Sequence, residues 1–427
     1  MDWLWLTLAD PDPATNGQFI YSKGLIEGAA EAGAQLSVIG VARQESRPRA
    51  PFEHGISWYT VPDRPRSKWR RLLSPKPFIA THAQSPKIES TLDVCLASRA
   101  WDAVIFDSIC TGWALDRVVR HRDESPHPPG IVYLAHNHEV AVARRIAQSA
   151  PGVMRLQKEI DAHKVTRLER RLVAAADLVT SNTPEDCRSF EIGAAGRPVA
   201  FLPPGYGGPR VALRTLDTHL PRRAIVVGSF DWLPKRVSLE AFLVVATPVL
   251  DRAGIELQIV GAVEADYLAS LRNRFPTVTF VGPVADVAPY MAAARIALVP
   301  DLIGGFKLKG LDYVFNRLPI LAMRIALPGM PLHDKRSVGL FDDHQALADG
   351  VVALIDDFPT LNARQDRAFA ACADRFDWAR IGRHLVASVQ QAGGGTFAKN
   401  RAVASYYSYP YDNQSLAEAT KTAAVDR

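Results

Sequence analysis

Short apolar runs alternate with longer helical patterns along this chain, and the alternation restarts once. Such a rhythm is typical of βαβ units and of a parallel sheet covered by helices on both faces. The first series of predicted strands is Trp3–Leu8, Gln35–Val41, Ala103–Asp107, Ile131–Ala135, Leu178–Ser181 and Val199–Leu202. The second series is Ala224–Gly228, Glu256–Gly261, Val278–Val281, Ile296–Pro300 and Pro319–Met323. We therefore expect an α/β protein with two parallel sheets.

The two series are separated by a segment rich in residues that end regular structure, Pro203–Pro209. It predicts an N-terminal domain over residues 1–210 and a C-terminal domain over 218–376. A helix over 377–392 is expected to cross back to the first domain, and the polar, tyrosine-rich residues 393–427 are expected to form a disordered tail. Because ligands of such sheets bind beyond the carboxyl ends of the strands, the predicted binding site is a cleft between the two domains.

Composition excludes several classes of protein. The chain has 427 residues with 50 Lys+Arg against 45 Asp+Glu, and this excess of +5 is too small for a dedicated nucleic-acid binder. Its 4 Cys are scattered, without a CxxC pair or His at metal-ligand spacing, so neither a disulfide framework nor a metal site is predicted. No stretch approaches the roughly 20 apolar residues of a spanning helix, so membrane contact would be peripheral. We expect a cytoplasmic protein that requires no metal and no cofactor.

The first predicted strand leads into a helix whose N-terminus faces the cleft. The strand ends at Asp10, and a loop that contains Asn16 and Gly17 precedes the helix. Free backbone N–H groups and the positive end of the helix dipole suit a phosphate there. A dinucleotide fingerprint requires GxGxxG, whereas this loop has one glycine, so NAD binding is not predicted. The alternative interpretation is an N-capped helix start in which Gly17 serves only the turn.

Three lysines follow strands of the second domain at their carboxyl ends: Lys235, Lys307 and Lys309. Their convergence is costly unless an anion neutralises them, and a diphosphate provides two charges and many acceptor oxygens. Alternatively, Lys307 and Lys309 are solvated residues of a first helical turn, although Lys there opposes the helix dipole. Asp312 lies one helical turn after Lys309, where it would accept hydrogen bonds from a ribose diol or pair with a neighbouring Lys.

One segment between Asp63 and Glu89 is strongly basic and contains no acid. Its residues include Arg66, Lys68, Trp69, Arg70 and Arg71. Basic and aromatic residues in this pattern favour contact with an anionic lipid surface, to which each Lys or Arg contributes about 1 kcal/mol. The prediction is a membrane or acceptor surface at the inner face of the cytoplasmic membrane. RNA binding, for which no motif is present, and a solvated loop are the alternatives.

Several motifs occur in the order and spacing of one known family. They are Asn16-Gly17, Tyr133-Leu-Ala-His-Asn-His-Glu139, Arg167-Leu168-Glu169-Arg170, Gly228-Ser-Phe-Asp-Trp-Leu-Pro-Lys235, Val278-Thr-Phe-Val-Gly-Pro-Val284 and Gly304-Gly-Phe-Lys-Leu-Lys-Gly-Leu-Asp312. Over residues 3–390 the chain resembles glycosyltransferases of the GT-B fold, family 4 type (glycosyl transferases group 1). The resemblance implies two Rossmann-like domains that face each other across a cleft.

The resemblance also implies roles for residues that bind the donor. Gly17, with the helix behind it, and Lys235 would contact the donor diphosphate. The family usually has Arg after the strand glycine, where this chain has Ser229, and Lys307 is the substitute cation. Of the family's two glutamates eight positions apart, the first is Gly304 here, and the second is Asp312, which would still bind the ribose.

His136 ends a predicted strand, at a position where the resemblance places a histidine beside the donor sugar and the acceptor. Imidazole both donates and accepts hydrogen bonds, so His136 is the predicted catalytic residue, orienting a sugar hydroxyl or stabilising developing charge. We expect His138 to be satisfied by a backbone carbonyl and Glu139 to cap the following helix.

These features predict a glycosyltransferase of hexosyltransferase type that moves a sugar from a nucleotide diphosphate sugar to a saccharide or lipid-linked acceptor. The predicted setting is bacterial polysaccharide or glycolipid assembly, and the resemblance implies retention of anomeric configuration. Lysines would replace the charge of a divalent metal ion, and nucleic acid is not an expected partner. A sugar-nucleotide epimerase would need acid and base groups flanking the sugar, and only His136 is an obvious candidate. A donor-binding protein without turnover is the other hypothesis, suggested by Ser229 and Gly304.

Overall fold

The computed structural model of the protein describes residues 1–46, 52–62, 74–230, 233–303 and 305–393. These residues belong to one compact unit, Met1–Gly393. Residues 394–427, which include nearly all of the predicted tail, lie outside the described residues. The domain boundaries near residues 210, 218 and 376 stay predictions. None of the helices in the described ranges is long and apolar enough to cross a bilayer.

The first half of the chain forms an eight-stranded sheet. Its strands are β1 (Asp2–Ala9), β2 (Gln35–Ala42), β3 (Phe52–Glu53), β4 (Ile56–Pro62), β5 (Ala103–Asp107), β6 (Gly130–Ala135), β7 (Leu178–Ser181) and β8 (Val199–Phe201). The spatial order is β3-β4-β2-β1-β5-β6-β7-β8, and only β3 and β4 pair antiparallel. β4 is absent from the predicted strands because Tyr59 and Thr60 are exposed, which interrupts its apolar pattern.

The second half forms a six-stranded parallel sheet. Its strands are β9 (Arg223–Val227), β10 (Glu256–Val260), β11 (Thr279–Gly282), β12 (Ile296–Val299), β13 (Ile320–Met323) and β14 (Gly339–Phe341). The spatial order is β11-β10-β9-β12-β13-β14. The short edge strand β14 is the one that the sequence pattern missed. Each predicted strand of this half is present, which reflects the near-continuous apolar runs that buried parallel strands require.

Helices connect the strands and cover both sheets. Those of the first half are α1 (Gly17–Glu31), α2 (Phe78–Thr81), α3 (Pro86–Ser98), α4 (Leu115–Glu124), α5 (Glu139–Ser149), α6 (Gly152–Ala175) and α7 (Pro184–Gly193). The others are α8 (Leu233–Arg252), α9 (Ala265–Arg274), α10 (Ala288–Ala292), α11 (Leu308–Phe315), α12 (His344–Leu354), α13 (Phe358–Cys372) and α14 (Trp378–Gly393).

Alternating side chains of the first sheet enter two apolar clusters, one on each face. Leu4 and Leu6 lie in one cluster, and Trp3 and Trp5 lie in the other. The last helix, α14, joins the second of these clusters through Ile381 and Leu385, among other residues.

The packing of α14 on α1 depends on two glycines. A Cβ on Gly382 would lie 2.0 Å from the backbone oxygen of Gly28, so any larger residue at that position would separate the helices. The end of the described chain is therefore packed against the first half, although it follows the second half in sequence.

Candidate functional site

The order of strands reverses at one point in each sheet, between β1 and β5 and between β9 and β12. Crossovers leave in opposite directions at such a point, so the carboxyl ends of the two strands open a crevice that commonly binds ligands. Asp10 and Asp107 follow or end the strands at the first reversal. Gly228 and Asp301 lie just beyond the strands at the second. Of the predicted site residues, Gly17 begins the helix after β1, His136 follows β6, and Lys307 and Lys309 follow β12.

The two edges are in contact across the cleft. The side chain of Leu308, which begins α11, lies 3.5 Å from the position of a Cβ on Gly17, the first residue of α1. At a second contact, Asn137 Oδ1 lies 2.9 Å from the position of a Cβ on Gly305. Gly305 also has a φ of 96°, so both its conformation and this close approach require glycine. The N-terminus of α1 therefore faces the loop that carries the predicted lysines.

Asp301 lies among those lysines at the second reversal point. Its Oδ2 is 2.6 Å from Lys309 Nζ, and its Oδ1 is 4.0 Å from Lys307 Nζ. Lys235 lines one pocket together with Asp301 and Lys309. Burial raises the pKa of Asp301, but the charges of the three lysines outweigh burial and hold the pKa below its usual value. Asp301 is thus ionised and serves as a counter-charge.

The protein itself supplies one anion to the lysines, which neutralises part of their charge, and a diphosphate as a further anion stays a prediction. Asp301 was missed because an Asp two residues after a strand is typical of any loop. Asp301 follows β12 at the point where the order of strands reverses, and this position would have indicated a site residue. The interpretation of Lys307 and Lys309 as solvated is wrong, since their side chains are 12% and 15% exposed.

The charge of Lys307 is perturbed by its surroundings. Burial lowers its pKa to about 8, a shift that Asp301 opposes and that Lys309, Lys235 and Arg145 increase. Arg145 belongs to α5 of the first half, so positive charge approaches this point from both sides of the cleft. Such a field favours an anionic ligand.

Asp312 packs against the segment that joins the two halves. Burial raises the pKa of Asp312 to about 6, and a hydrogen bond with Tyr206 opposes this shift. The ring of Tyr206 in turn stacks on Phe315, with centroids 4.6 Å apart. In the described part of the chain Asp312 forms no salt bridge with a lysine, so the alternative pairing is not observed.

His136 and Asp107 form a buried pair at the first reversal point. Their atoms His136 Nε2 and Asp107 Oδ1 are 2.6 Å apart, and Asp107 Oδ2 accepts a hydrogen bond from Trp5 Nε1 at 3.1 Å. The edge of the His136 ring also meets Tyr21, with centroids 4.9 Å apart. Asp107 therefore fixes the orientation of the imidazole. Sequence reasoning singled out His136 and missed Asp107.

The chain segment after His136 is held by Glu169 of α6. Both carboxylate oxygens of Glu169 accept backbone N–H groups at the start of α5, from Glu139 at 3.0 Å and Val140 at 3.1 Å. Its Oε1 also accepts the hydroxyl of Tyr133 at 3.2 Å. Burial raises the pKa of Glu169 to about 8, against the effect of these N–H groups. His138 Nε2 lies 3.7 Å from Glu169, beyond hydrogen-bond distance, and burial lowers the pKa of His138, so its backbone carbonyl partner stays a prediction.

Some predicted residues fall outside the described residues. They are Arg66, Lys68, Trp69, Arg70, Arg71 and Gly304. Within the described ranges, no group of three or more His, Cys, Asp or Glu side chains is placed to hold a metal ion.

Comparisons with known proteins agree with this architecture. Residues 221–357 match the family model of glycosyl transferases group 1. No curated protein matches the sequence. Sucrose-phosphate synthase from Thermosynechococcus elongatus superposes with a TM-score of 0.70 at 17% identity, over 92% of this chain and 98% of that one. WaaG, a glycosyltransferase involved in lipopolysaccharide biosynthesis, superposes with a TM-score of 0.63 at 16% identity, over 93% and 100%.

Anabaena Alr3699/HepE, solved in complex with UDP and glucose, has a TM-score of 0.59 at 15% identity, over 91% of this chain and 99% of that one. Likenesses at these identities establish the fold. The expected α/β class and GT-B architecture are therefore confirmed, and the resemblance to glycosyl transferases group 1 is confirmed over residues 221–357.

Proposed function

We propose that this chain is a retaining, metal-independent glycosyltransferase of hexosyltransferase type. It moves a sugar from a nucleotide diphosphate sugar to a saccharide or lipid-linked acceptor in bacterial polysaccharide or glycolipid assembly. The observation that carries the proposal is the buried cluster of Lys235, Lys307 and Lys309 opposite the N-terminus of α1. A diphosphate would be attracted to these groups, because both sides of the cleft offer positive charge or backbone N–H donors there.

The lysines would act on the leaving group. When the bond between the sugar carbon and the diphosphate breaks, negative charge grows on the diphosphate oxygens. Lys235, Lys307 and Lys309 would stabilise this charge more strongly in the transition state than in the bound donor, which is the condition for faster turnover. Three ammonium groups supply the charge neutralisation that a divalent ion supplies elsewhere.

Asp301 would prepare the lysines before the donor arrives. Its ion pair with Lys309 at 2.6 Å holds that side chain at the pocket and reduces repulsion among the three cations. Binding of a diphosphate would then give each lysine additional acceptor oxygens without a large rearrangement. On the other side, Asp107 would orient His136 so that its second ring nitrogen meets a sugar hydroxyl.

The donor class draws support from the comparisons. Structures of Anabaena Alr3699/HepE are described in complex with UDP and with UDP-glucose. Asp312 is our proposed ligand of the donor ribose, and the hydrogen bond from Tyr206 would position its carboxylate. WaaG is described as acting in lipopolysaccharide biosynthesis, which supports a glycolipid or polysaccharide acceptor.

We place the acceptor and membrane surface at the basic segment that contains Arg66–Arg71. Phe78 follows this segment in the chain, and its N–H donates a hydrogen bond to Asp161 of α6 at 2.8 Å. This region exposes apolar side chains, namely Phe78, Met154, Leu156 and Ile160. Exposed apolar groups together with a basic segment of sequence favour contact with the interface of an anionic bilayer. Co-sedimentation with anionic liposomes should fall when residues 64–76 are stripped of basic charge, and unchanged binding would contradict this placement.

A panel of nucleotide sugars, incubated with the protein and a mixture of saccharide acceptors in the presence of EDTA, tests the proposal. We expect a released nucleoside diphosphate together with a glycosylated acceptor, with anomeric configuration retained. Isomerisation of the donor would instead indicate an epimerase, and binding without turnover would indicate a donor-binding protein. Either result would overturn the proposal.

A further inference from the structure

Glu139 begins α5 at the edge of the cleft and is linked to the opposite half. Its Oε1 accepts a hydrogen bond from Asn137 Nδ2 at 3.0 Å. The other side-chain atom of Asn137, Oδ1, lies against Gly305 across the cleft. The carboxylate is therefore one side chain away from the loop that leads to Lys307.

Three further groups surround this carboxylate. Burial raises the pKa of Glu139, and the charge of Asp186 adds to this shift, while the hydrogen bond from Asn137 and the charge of His136 oppose it. Burial raises the pKa of Cys110, and the charge of Glu139 adds to this shift. The sulfur of Cys110 lies 3.8 Å from Gln18 Nε2 in the first turn of α1. Glu139 thus lies near the proposed catalytic histidine in the chain and is linked through Asn137 to the Gly305 loop.

The side chain of Glu139 is not required to cap its own helix. The backbone N–H groups of Glu139 and Val140 are bound by Glu169 instead, at 3.0 Å and 3.1 Å. The expectation that Glu139 caps α5 is therefore wrong. In the described part of the chain, no Lys or Arg forms a salt bridge with it.

A half-buried carboxylate without a cation is costly unless donors satisfy its oxygens. Asn137 satisfies one oxygen, and the other retains acceptor capacity. Neutral hydroxyl groups are suitable donors, because a carboxylate accepts from them and repels a phosphate. Gly305 and Lys307 belong to one loop, and Asn137 links Glu139 to that loop, so a sugar attached to a diphosphate at Lys307 would have Glu139 within the same part of the cleft.

We infer that Glu139, positioned by Asn137, binds hydroxyl groups of the transferred sugar. This inference rests on the proposed function. In this arrangement the second half of the chain binds the diphosphate, and the first half binds the sugar through Glu139 and His136. Glu139 is then a specificity residue for the donor.

The variant Glu139→Gln tests this role, because glutamine keeps the acceptor for Asn137 and removes the charge. We expect the affinity for the nucleoside diphosphate to stay within about twofold of wild type. Affinity for the matching nucleotide diphosphate sugar should fall about tenfold, the equivalent of a lost charge-assisted hydrogen bond of about 1.4 kcal/mol. Glu191→Gln, which changes an exposed glutamate of α7, is the matched control and should bind both ligands as wild type does.

A second variant, Glu139→Asp, keeps the charge but shortens its reach, and it should weaken binding of the sugar nucleotide selectively as well. Equal binding of both ligands by wild type and both variants would overturn the inference. So would an effect confined to the KM of the acceptor, since the carboxylate would then bind the wrong substrate. If the wild-type protein binds no nucleoside diphosphate, the proposed function is wrong, and this inference, which rests on it, is wrong as well.

Discussion

Lys309 Nζ lies 2.6 Å from Asp301 Oδ2, and the carboxylate of this pair is buried at the carboxyl end of β12. Asp301 also faces Lys307 and is charged under the influence of all three lysines. One aspartate therefore holds together a cluster that would otherwise repel itself. In the proposed function, the oxygens of the donor diphosphate would bind the lysines in addition to this internal anion.

Replacement of Asp301 by asparagine should destabilise the protein in the absence of an anion. Removal of one partner from a buried ion pair costs about 3 kcal/mol or more. We expect the free energy of unfolding in urea to fall by about this amount. Saturating inorganic diphosphate should restore a large part of the loss, because it replaces the missing charge. A variant as stable as wild type, or one that diphosphate does not stabilise, would contradict the role of Asp301.

Donor affinity should depend on pH through Lys307. Burial lowers the pKa of Lys307 to about 8, so the side chain is charged below that pH and loses its proton above it. Nucleoside diphosphate binding should therefore weaken as the pH rises through about 8, with uptake of a proton on binding. The variant Lys307→Arg stays charged and should flatten the profile. Identical pH profiles for the two proteins would exclude Lys307 as the titrating group.

The variant Asp107→Asn should lower turnover while leaving donor affinity nearly unchanged. Asparagine keeps an acceptor for Trp5 but removes the charge that orients and polarises His136. A loss of about tenfold or more in kcat corresponds to about 1.4 kcal/mol of transition-state stabilisation. Steady-state kinetics with both substrates varied provides the measurement. A kcat equal to that of wild type would show that the pair has no part in the reaction.

The strands and the position of the cleft follow from the sequence because buried parallel strands leave long apolar runs. Side-chain contacts between strands cannot be predicted in this way, because they depend on which strands become neighbours in the sheet. Asp107 of β5 lies opposite Leu134 of β6. Because Leu134 is two residues before His136, the side chains of Asp107 and His136 project to the same face of the sheet. This register brings together residues that are 29 positions apart.

The same limitation applies to Glu169 and Asp301. The motif that contains Glu169 was visible, but its contact with the start of α5 requires α6 to pack beside α5. The position of Asp301 among the lysines depends on the order of strands, which places β12 beside β9. The three lysines, in contrast, could be predicted because each follows a strand of the second half, and parallel strands share one carboxyl edge.

The variant Glu169→Ala should be strongly destabilised. It leaves two backbone N–H groups of α5 and the hydroxyl of Tyr133 without their acceptor. Each unsatisfied buried group costs about 1–3 kcal/mol, so we expect a loss of at least about 3 kcal/mol in the free energy of unfolding. Glu185→Ala on the exposed part of α7 is the control and should change stability by less than about 0.5 kcal/mol. A small effect of Glu169→Ala would mean that other groups anchor the segment after His136.

Calorimetric titration of nucleoside diphosphates into the wild-type protein, Lys235→Ala, Lys309→Ala and the exposed-surface control Lys87→Ala tests the central claim most directly. The account predicts that one nucleoside diphosphate binds to wild type and to Lys87→Ala alike. It predicts that each of the two cleft variants weakens this binding by at least about tenfold, or about 1.4 kcal/mol. Equal affinity in all four proteins, or no binding to any of them, would contradict the diphosphate site.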